Sequence, residues 1–255
     1  MDLITPVEKI NGIWFKREDK YEIYSVCGGK ARSAYYLIQK GLSEGKTQFV
    51  TCGARTSPQC EIISCICEAL KVKCHLFMPQ GQDTSILKTI YKNKYSILHR
   101  TKVGYNNVLI SWSKKFCEEN NFYYIPFGME CKENIDIISE QVINIPIESK
   151  KIVITVGSGM SLVGLLNGLE KQGWYDKEVL GISVGKDPTK TINKYINAPH
   201  INYSIIKSPL DYDKKPKITN LYGIELDPYY ESKCIDYIHE GDLFYIIGKR
   251  KAEIT

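Results

Sequence analysis

The 255-residue sequence lacks several features that would assign it at once to a class of protein. It has no apolar run near the roughly 20 residues needed to span a bilayer, and its first residues have neither the basic nor the apolar segment of a secretory signal. It also has no CxxC pair, no low-complexity linker and no internal repeat. We therefore expect a cytoplasmic protein with reduced thiols, no membrane association and no metal site.

The charge balance is only mildly basic. Lysine and arginine number 34 against 29 acidic residues, which gives a net charge of +5, with basic residues concentrated in 88–102 and 249–251. This permits an anionic cofactor, an anionic substrate or weak nucleic-acid contact and establishes none of them. Three of the nine cysteines, Cys60, Cys65 and Cys67, share one apolar helical stretch, where thiols pack as small hydrophobic side chains.

Strand-like and helix-like segments alternate along nearly the whole chain, which indicates parallel sheets covered by helices. We predict strands over 12–16, 48–52, 72–78, 95–99, 122–125, 151–156 and 179–184, and helices over 31–41, 58–70, 84–93, 105–120, 133–144 and 162–172. The predicted fold is α/β with two lobes. Residues 1–46 and 128–255 form the larger lobe, and residues 47–127 form a smaller inserted lobe.

A glycine pair brings one lysine to the start of the first predicted helix, in the segment Val26-Cys27-Gly28-Gly29-Lys30-Ala31-Arg32. The positive end of the helix dipole disfavours an ammonium ion there and helps to keep an amine neutral enough to attack a carbonyl. Taken alone, the segment fits a surface lysine in a turn better than a catalytic one. A catalytic role for Lys30 requires a partner elsewhere in the chain.

A second glycine-rich turn follows the β-prone segment 151–156 and precedes a helix. It consists of Gly157, Ser158, Gly159, Met160 and Ser161. Its glycines let the backbone approach a ligand, the first helical N–H groups point at that ligand, and the two serines add hydroxyl donors. The turn is neither a Walker A loop nor a GxGxxG dinucleotide fingerprint. It predicts a site for a phosphate monoester, with a tight packing turn as the alternative.

A lysine amine together with a phosphate site suggests pyridoxal phosphate, which carries an aldehyde and a phosphate. Four segments in register then resemble the fold-type II (tryptophan synthase β-like) pyridoxal-phosphate enzymes, nearest to the aminocyclopropane-carboxylate deaminase and D-cysteine desulfhydrase group. These segments are Thr5-Pro6 with Phe15-Lys16-Arg17-Glu18-Asp19 (similar to "TP…KRED"), 27–32 ("GGNKxR"), 157–165 ("GSGGTxAGL") and 226–233 ("LDPVYEGK"). The resemblance spans nearly the whole chain.

The resemblance implies roles for individual residues. Lys30 would hold the cofactor through a Schiff base, residues 157–161 would bind its phosphate, and Glu231 would face the pyridine nitrogen. Tyr230 would be an acid, a base or a stacking group over the cofactor. A helix-start pair is the alternative for Tyr230 and Glu231. We expect the cofactor to lie at the interface of the two lobes.

Ser57 would stand near the substrate carboxylate, because Thr56-Ser57-Pro58-Gln59 falls where the family has "SNH" or "SNQ". A simple helix N-cap is the alternative for Ser57. The chain departs from the family at Gly29, which replaces an asparagine, and at Pro58, which cannot contact the cofactor's ring hydroxyl as the family's asparagine does. Transfer of the substrate is unsafe because the final "HTGG" turn is absent and the chain is shorter than typical members of the family.

The expected function is deamination, elimination or decarboxylation at Cα of a small amino-acid-like substrate. A carboxylate at Glu231 favours reactions that need a strong electron sink, as in a deaminase, a racemase or a decarboxylase. One alternative is a pyridoxal-phosphate enzyme acting on an amino-acid moiety attached to a nucleotide or DNA. Another is a non-catalytic relative that binds the cofactor or another anion. The family resemblance also implies a homodimer.

Overall fold

The computed structural model describes residues 4–102 and 105–249. In these residues the helices are α1 (Gly29–Ser43), α2 (Pro58–Leu70), α3 (Ser85–Lys92), α4 (Asn106–Glu119), α5 (Lys132–Glu140), α6 (Met160–Gln172) and α7 (Thr189–Tyr195). The strands are β1 (Val7–Ile10), β2 (Ile13–Arg17), β3 (Glu22–Ile23), β4 (Val26–Cys27), β5 (Gln48–Cys52), β6 (Lys73–Pro79), β7 (Ser96–Thr101), β8 (Tyr123–Tyr124), β9 (Lys151–Val156), β10 (Glu178–Ser183), β11 (Asn202–Lys207), β12 (Asn220–Leu221), β13 (Ile224–Glu225) and β14 (Leu243–Ile246). Short 3₁₀ helices cover Glu18–Lys20, Phe127–Met129, Gln141–Asn144 and Glu231–Tyr237.

Contacts divide the described chain into two units. The first contains residues 4–21, 27–29 and 132–249, and the second contains residues 22–26, 30–102 and 105–131. In this division α1 groups with the second unit from Lys30 onward, whereas the predicted boundaries assign residues 1–46 and 128–255 to one lobe. Those lobe boundaries stay a prediction, and their parts at 1–3, 103–104 and 250–255 lie outside the described residues, as does most of the basic segment 249–251.

The first unit is built on a six-stranded sheet with the order β1-β2-β14-β9-β10-β11. The pair β1–β2 is antiparallel, and every other neighbouring pair is parallel. The central strand β9 is apolar along nearly its whole length, because its two faces pack into two different clusters. Ile152, Ile154 and Val156 pack with α6, whereas Val153 packs with Phe15 and Phe244.

The second unit is built on a four-stranded parallel sheet with the order β7-β6-β5-β8. Its core includes Val50, Cys52, Phe77, Leu109 and Cys117. Helix α2 turns Cys60, Cys65 and Cys67 inward, as predicted, and burial raises the pKa of Cys60 well above that of an exposed thiol. These thiols therefore pack in the core of the second unit as small hydrophobic side chains.

Most predicted elements form where expected, and the differences are local. The strand over 48–52, the helix over 58–70 and the strand over 151–156 have the predicted bounds. Helix α1 begins at Gly29 and α6 at Met160, both earlier than predicted, because glycine backbones precede and start these helices. Strands β1 and β11 were not predicted. No helix in the described part of the chain is long and apolar enough to cross a membrane.

The opening motif is a structural cluster within the first unit. Thr5 Oγ1 donates a hydrogen bond to Glu18 Oε1 (2.5 Å), and the buried Lys16 ammonium donates to the Thr5 carbonyl (2.7 Å) and to Asn144 Oδ1 (2.8 Å). Because buried charges are tolerated only when they are hydrogen-bonded, these contacts explain why polar residues occupy this part of the sheet. The motif stabilises β2 and its surroundings.

Candidate functional site

The glycine-rich turn at 157–161 joins β9 to the N-terminus of α6 in the first unit. Gly159 is the N-cap residue with φ +95°, a left-handed conformation that favours glycine. Within the described residues no side chain caps this helix, so the first-turn N–H groups of α6 remain available to a ligand. A helix N-terminus with open N–H groups and a positive dipole end suits an anion.

Tyr230 lies against this turn. A Cβ atom built on Gly157 would stand 3.1 Å from Cε1 of Tyr230, so the ring packs directly on the glycine backbone. Asp227 fixes the segment that leads to the ring, since its Oδ1 accepts the N–H groups of Tyr229 (2.8 Å) and Tyr230 (3.1 Å). The structure thus brings the predicted phosphate turn and the predicted catalytic tyrosine together.

Glu231 begins the 3₁₀ helix that follows Tyr230, and it is buried with 2% of its surface exposed. Its Oε1 accepts the N–H of Ile247 at 3.2 Å. Burial, reinforced by the nearby Asp227, raises the pKa of Glu231 well above its usual value despite the N–H groups of Ile247 and Gly248. The resemblance implies a carboxylate at this position, whereas the surroundings of Glu231 in the structure favour the protonated acid.

Ile247 also binds the segment that carries the lysine. The N–H of Gly29, the residue before Lys30, donates to the Ile247 carbonyl at 2.9 Å. A Cβ atom on Gly28, at φ +93°, would stand 2.9 Å from Cα of Gly248, so the two backbones require glycine at position 28. The buried acid and the start of α1 are therefore anchored to the same short stretch after β14. Lys30 is half-buried in the first turn of α1.

Ser57 belongs to the second unit, in the loop between β5 and α2. It occupies the N-cap position of α2, but its side chain makes no capping hydrogen bond in the described structure, so the simple N-cap interpretation is incomplete. Pro58 is the first helical residue, as its ring favours. The loop is anchored by the buried Gln59, whose Nε2 donates to Thr51 Oγ1 (2.9 Å) and to the Pro126 carbonyl (2.7 Å).

Tyr212 is a site residue that the sequence analysis missed. It lies in the polar segment 208–219, and its hydroxyl is 3.1 Å from the hydroxyl of Tyr230, with the two rings edge to face. The buried Lys233 ammonium donates to the carbonyls of Asp211 (2.7 Å) and Tyr212 (3.2 Å) and so holds this segment in place. An aromatic residue between two aspartates in a charged loop was the available signal.

Comparison with known proteins by sequence yields nothing, because no protein-family model matches the chain and no curated protein matches it in sequence. Comparison by structure yields clear similarities. A homologue of ACC deaminase superposes with a TM-score of 0.80 at 20% identity, covering 96% of this chain and 89% of its own. Diaminopropionate ammonia lyase from Escherichia coli gives 0.71 at 10% identity, covering 98% and 85%.

Threonine deaminase isoform 2 from Solanum lycopersicum is also similar, with a TM-score of 0.65 at 14% identity, covering 98% of this chain and 84% of its own. At such low identities the similarity defines the fold and no more. The relatives include deaminases and an ammonia lyase, and the coverage extends over nearly the whole of this chain. The chain therefore has the fold of the fold-type II pyridoxal-phosphate enzymes, as its sequence motifs predicted.

Proposed function

We propose that this protein is a pyridoxal-phosphate-dependent enzyme that acts at Cα of an amino-acid-like substrate, with Lys30 as the lysine that holds the cofactor. The observation that carries the proposal is the shared anchor at Ile247. This residue donates its N–H to the buried acid Glu231 and accepts the N–H of Gly29, which precedes Lys30. A buried acid tied to a lysine-bearing helix start is difficult to explain as packing alone.

The residues of the first unit fit this cofactor. The open N–H groups at the start of α6, with the hydroxyls of Ser158 and Ser161 in the same turn, suit a phosphate. Glycine at 157 and 159 keeps side chains out of the turn, where Tyr230 and Ile192 already approach. Glu231 offers a buried acid, the group that suits a basic ring nitrogen.

When bound, pyridoxal phosphate supplies an aldehyde that a primary amine can attack and a ring that accepts electron density from Cα. We assign to Lys30 Nζ first the attachment of the cofactor and then the transfer of the proton at Cα. The protonated Glu231 carboxyl would give its proton to the ring nitrogen. The resulting carboxylate would then accept hydrogen bonds from the N–H groups of Ile247 and Gly248.

We further propose that the reaction belongs to the group that requires a strong electron sink, such as deamination, because an acid rather than a hydroxyl residue stands at position 231. Tyr230 and Tyr212 share a hydrogen bond, so their hydroxyls can pass a proton between them, and Tyr230 is our candidate for an acid or base. Ser57 is our candidate for contact with the substrate carboxylate. Elimination and decarboxylation remain within the proposal.

Substitution of the lysine tests the proposal directly. The purified chain mixed with pyridoxal phosphate should acquire a visible absorption band that survives gel filtration, and borohydride should fix the cofactor to the peptide that contains Lys30. Lys30→Ala should lose both the band and the label, because no other amine would be attached to the cofactor. Lys40→Ala, on the last turn of the same helix, should keep both.

A retained band in the Lys30 variant, or a label on another lysine, would contradict the assignment.

The reaction is then identified with a panel of D- and L-amino acids, by measuring keto acid, amine and sulfide as products. We keep as further proposals a homodimer, which gel filtration with light scattering checks, and a nucleotide-linked substrate. Salt-dependent retention on DNA would favour the latter.

A further inference from the structure

The loop 53–57 of the second unit contains an arginine, Arg55, that the proposed function does not use. It follows the buried strand β5 at the carboxyl edge of a parallel sheet and precedes α2. In open parallel sheets, ligands bind outside the carboxyl ends of the strands. Arg55 is half-buried in this loop, next to Thr56 and Ser57.

Neighbouring groups hold Arg55 at both ends. Thr84 Oγ1 donates to the Arg55 carbonyl at 3.1 Å, and Arg55 Nη1 donates to the Gln82 carbonyl at 3.1 Å. A Cβ atom on Gly81 would stand 2.6 Å from Nη1 and 2.7 Å from Cζ, so the guanidinium lies directly against the Gly81 backbone. An arginine fixed in this way loses little side-chain entropy when it binds a ligand.

The charge of Arg55 is not neutralised within the described residues, where no carboxylate forms an ion pair with it. Arg100 in β7 also contacts the segment 81–83, but its charge is paired. It donates to the Gly81 carbonyl (2.8 Å) and forms an ion pair with Asp83 (3.4 Å). A guanidinium has five N–H donors, and the Gln82 carbonyl accepts from Nη1 alone. Arg55 therefore keeps a charge and open donors that suit an anion.

We propose that Arg55 is a specificity-determining residue that binds a second acidic group of the substrate, so that the preferred substrates are amino acids with a side-chain carboxylate. The proposal rests on the proposed function and names its substrate class. The uncapped N-terminus of α2 beside Ser57 offers backbone N–H donors for one carboxylate. The guanidinium of Arg55 offers a separate set of N–H donors for a second carboxylate of the substrate.

The test is calorimetric titration of the full chain, with and without pyridoxal phosphate, using aspartate against asparagine and glutamate against glutamine in both enantiomers. The members of each pair have nearly the same size and differ in charge. The unsubstituted protein should bind the acidic member about 10- to 100-fold more tightly, the range for a hydrogen bond to a charged group. Arg55→Gln should abolish this preference, and Arg55→Lys should keep part of it.

Lys73→Gln is the matched control, because it removes one positive charge at the exposed first residue of β6, the amino end of the same sheet. It should leave the preference intact. Equal weakening of acidic and neutral ligands in Arg55→Gln would overturn the proposal by assigning Arg55 to the carboxylate that all amino acids share. Unchanged binding, or an unsubstituted protein without the preference, would also overturn it.

The two proposals fail in different ways. A protein that binds no pyridoxal phosphate but distinguishes aspartate from asparagine through Arg55 would refute the proposed function and keep the anion site. A protein that binds the cofactor through Lys30 without this discrimination would do the reverse. Thermal unfolding of each variant verifies the fold. If Arg55→Gln does not fold, the binding preference of Arg55→Lys tests the proposal instead, because lysine preserves the charge but lacks the planar, bidentate geometry of the guanidinium.

Discussion

Two loops of this protein, 157–159 in the first unit and 53–57 in the second, follow a buried parallel strand and precede a helix, yet they suit anions by different means. Helix α6 begins with Met160, whose N–H is available, whereas α2 begins with Pro58, which has none. The first loop offers glycine and backbone donors alone, and the second adds the side chain of Arg55 to the remaining backbone donors of α2. Glycine motifs reveal sites of the first kind and miss those of the second.

Each unit also contains a buried titratable group, and the two groups respond to pH in opposite directions. In the first unit, burial raises the pKa of Glu231 above its usual value, so raising the pH acts against the folded state. In the second unit, burial keeps His75 neutral, so lowering the pH acts against it. Among the described residues the charged neighbours of each group have the same sign as its own charged form, Asp227 for Glu231 and Lys73 for His75, and the sign of the effect follows from which form of each is charged.

Glu231→Gln should produce the largest change in this comparison. The folded protein holds a proton on Glu231 that the unfolded chain loses above its ordinary pKa of 4.5, so stability falls as the pH rises above that value. The slope approaches a limit of about 1.4 kcal/mol per pH unit. Denaturant unfolding of the cofactor-free protein at pH 5, 6, 7 and 8 should show this slope reduced in the variant.

An exposed glutamate provides the control for that measurement. Glu178→Gln, at the first residue of β10, removes the same group from the surface of the same unit and should leave the pH dependence as it is in the unsubstituted protein. If Glu231→Gln and the unsubstituted protein show parallel curves, the buried acid is ionised in the folded state. The proposed transfer of a proton from Glu231 to the ring nitrogen would then be wrong.

Gly159→Ala tests the backbone loop, and Gly173→Ala is its matched control at the other end of α6. Both glycines are left-handed, at φ +95° and +70°, so each substitution should cost about 1 kcal/mol of stability. A Cβ atom at 159 would also stand 3.0 Å from Cγ1 of Ile192, whereas nothing lies within 4 Å at 173. Gly159→Ala should therefore weaken pyridoxal-phosphate binding by roughly 10-fold, and Gly173→Ala should not.

Absorbance titration with pyridoxal phosphate separates the two variants, because the strain is common to both and the crowding of the loop is not. Equal affinities for the cofactor would mean that the turn at 157–161 does not bind its phosphate. The comparison with Arg55 would then fail, because this turn would not be an anion site built from backbone donors.

The sequence was informative where local pattern decides structure. The apolar runs of β5 and β9 and the proline that starts α2 were enough to set the bounds of those elements. Strand β11 was missed, because it lies at the edge of its sheet and most of its side chains are exposed or half-exposed, which weakens the apolar signal.

The candidate site also has parts that local sequence patterns predict and parts that they do not. Lys30, the glycine turn and Glu231 could be selected from motifs, since glycines and a lysine at helix starts leave a local signature. The contact between Tyr212 and Tyr230, the burial that raises the pKa of Glu231, and the packing of Arg55 on the Gly81 backbone depend on residues far apart in the chain. Such long-range contacts decide burial and charge, which a motif does not encode.

His75→Phe should give the smallest effect and completes the comparison of the two units. His75 has 7% of its surface exposed, stacks on Phe122, and bonds through Nδ1 to His99 Nε2 (3.0 Å) and through Nε2 to Gln48 Oε1 (3.0 Å). Burial, with the charges of His99 and Lys73, lowers the pKa of His75 to about 4. Below about pH 6.5 the His75 imidazole therefore binds a proton in the unfolded chain but not in the folded protein.

Stability contributed by the neutral imidazole is therefore present above pH 6.5 and is lost as the pH falls toward 4, by about 1–2 kcal/mol once partial solvation is included. His75→Phe keeps an aromatic ring in the cluster and should flatten this part of the curve in denaturant unfolding between pH 7 and 5. Glu231 changes the stability in the opposite direction over the same pH range. In the His75→Phe variant, the fall in stability with rising pH that Glu231 causes should therefore be seen more clearly. If the variant loses as much stability on acidification as the unsubstituted protein, His75 does not cause the loss and the two units do not differ in this respect. A smaller remaining loss is expected from His99, whose pKa burial also lowers.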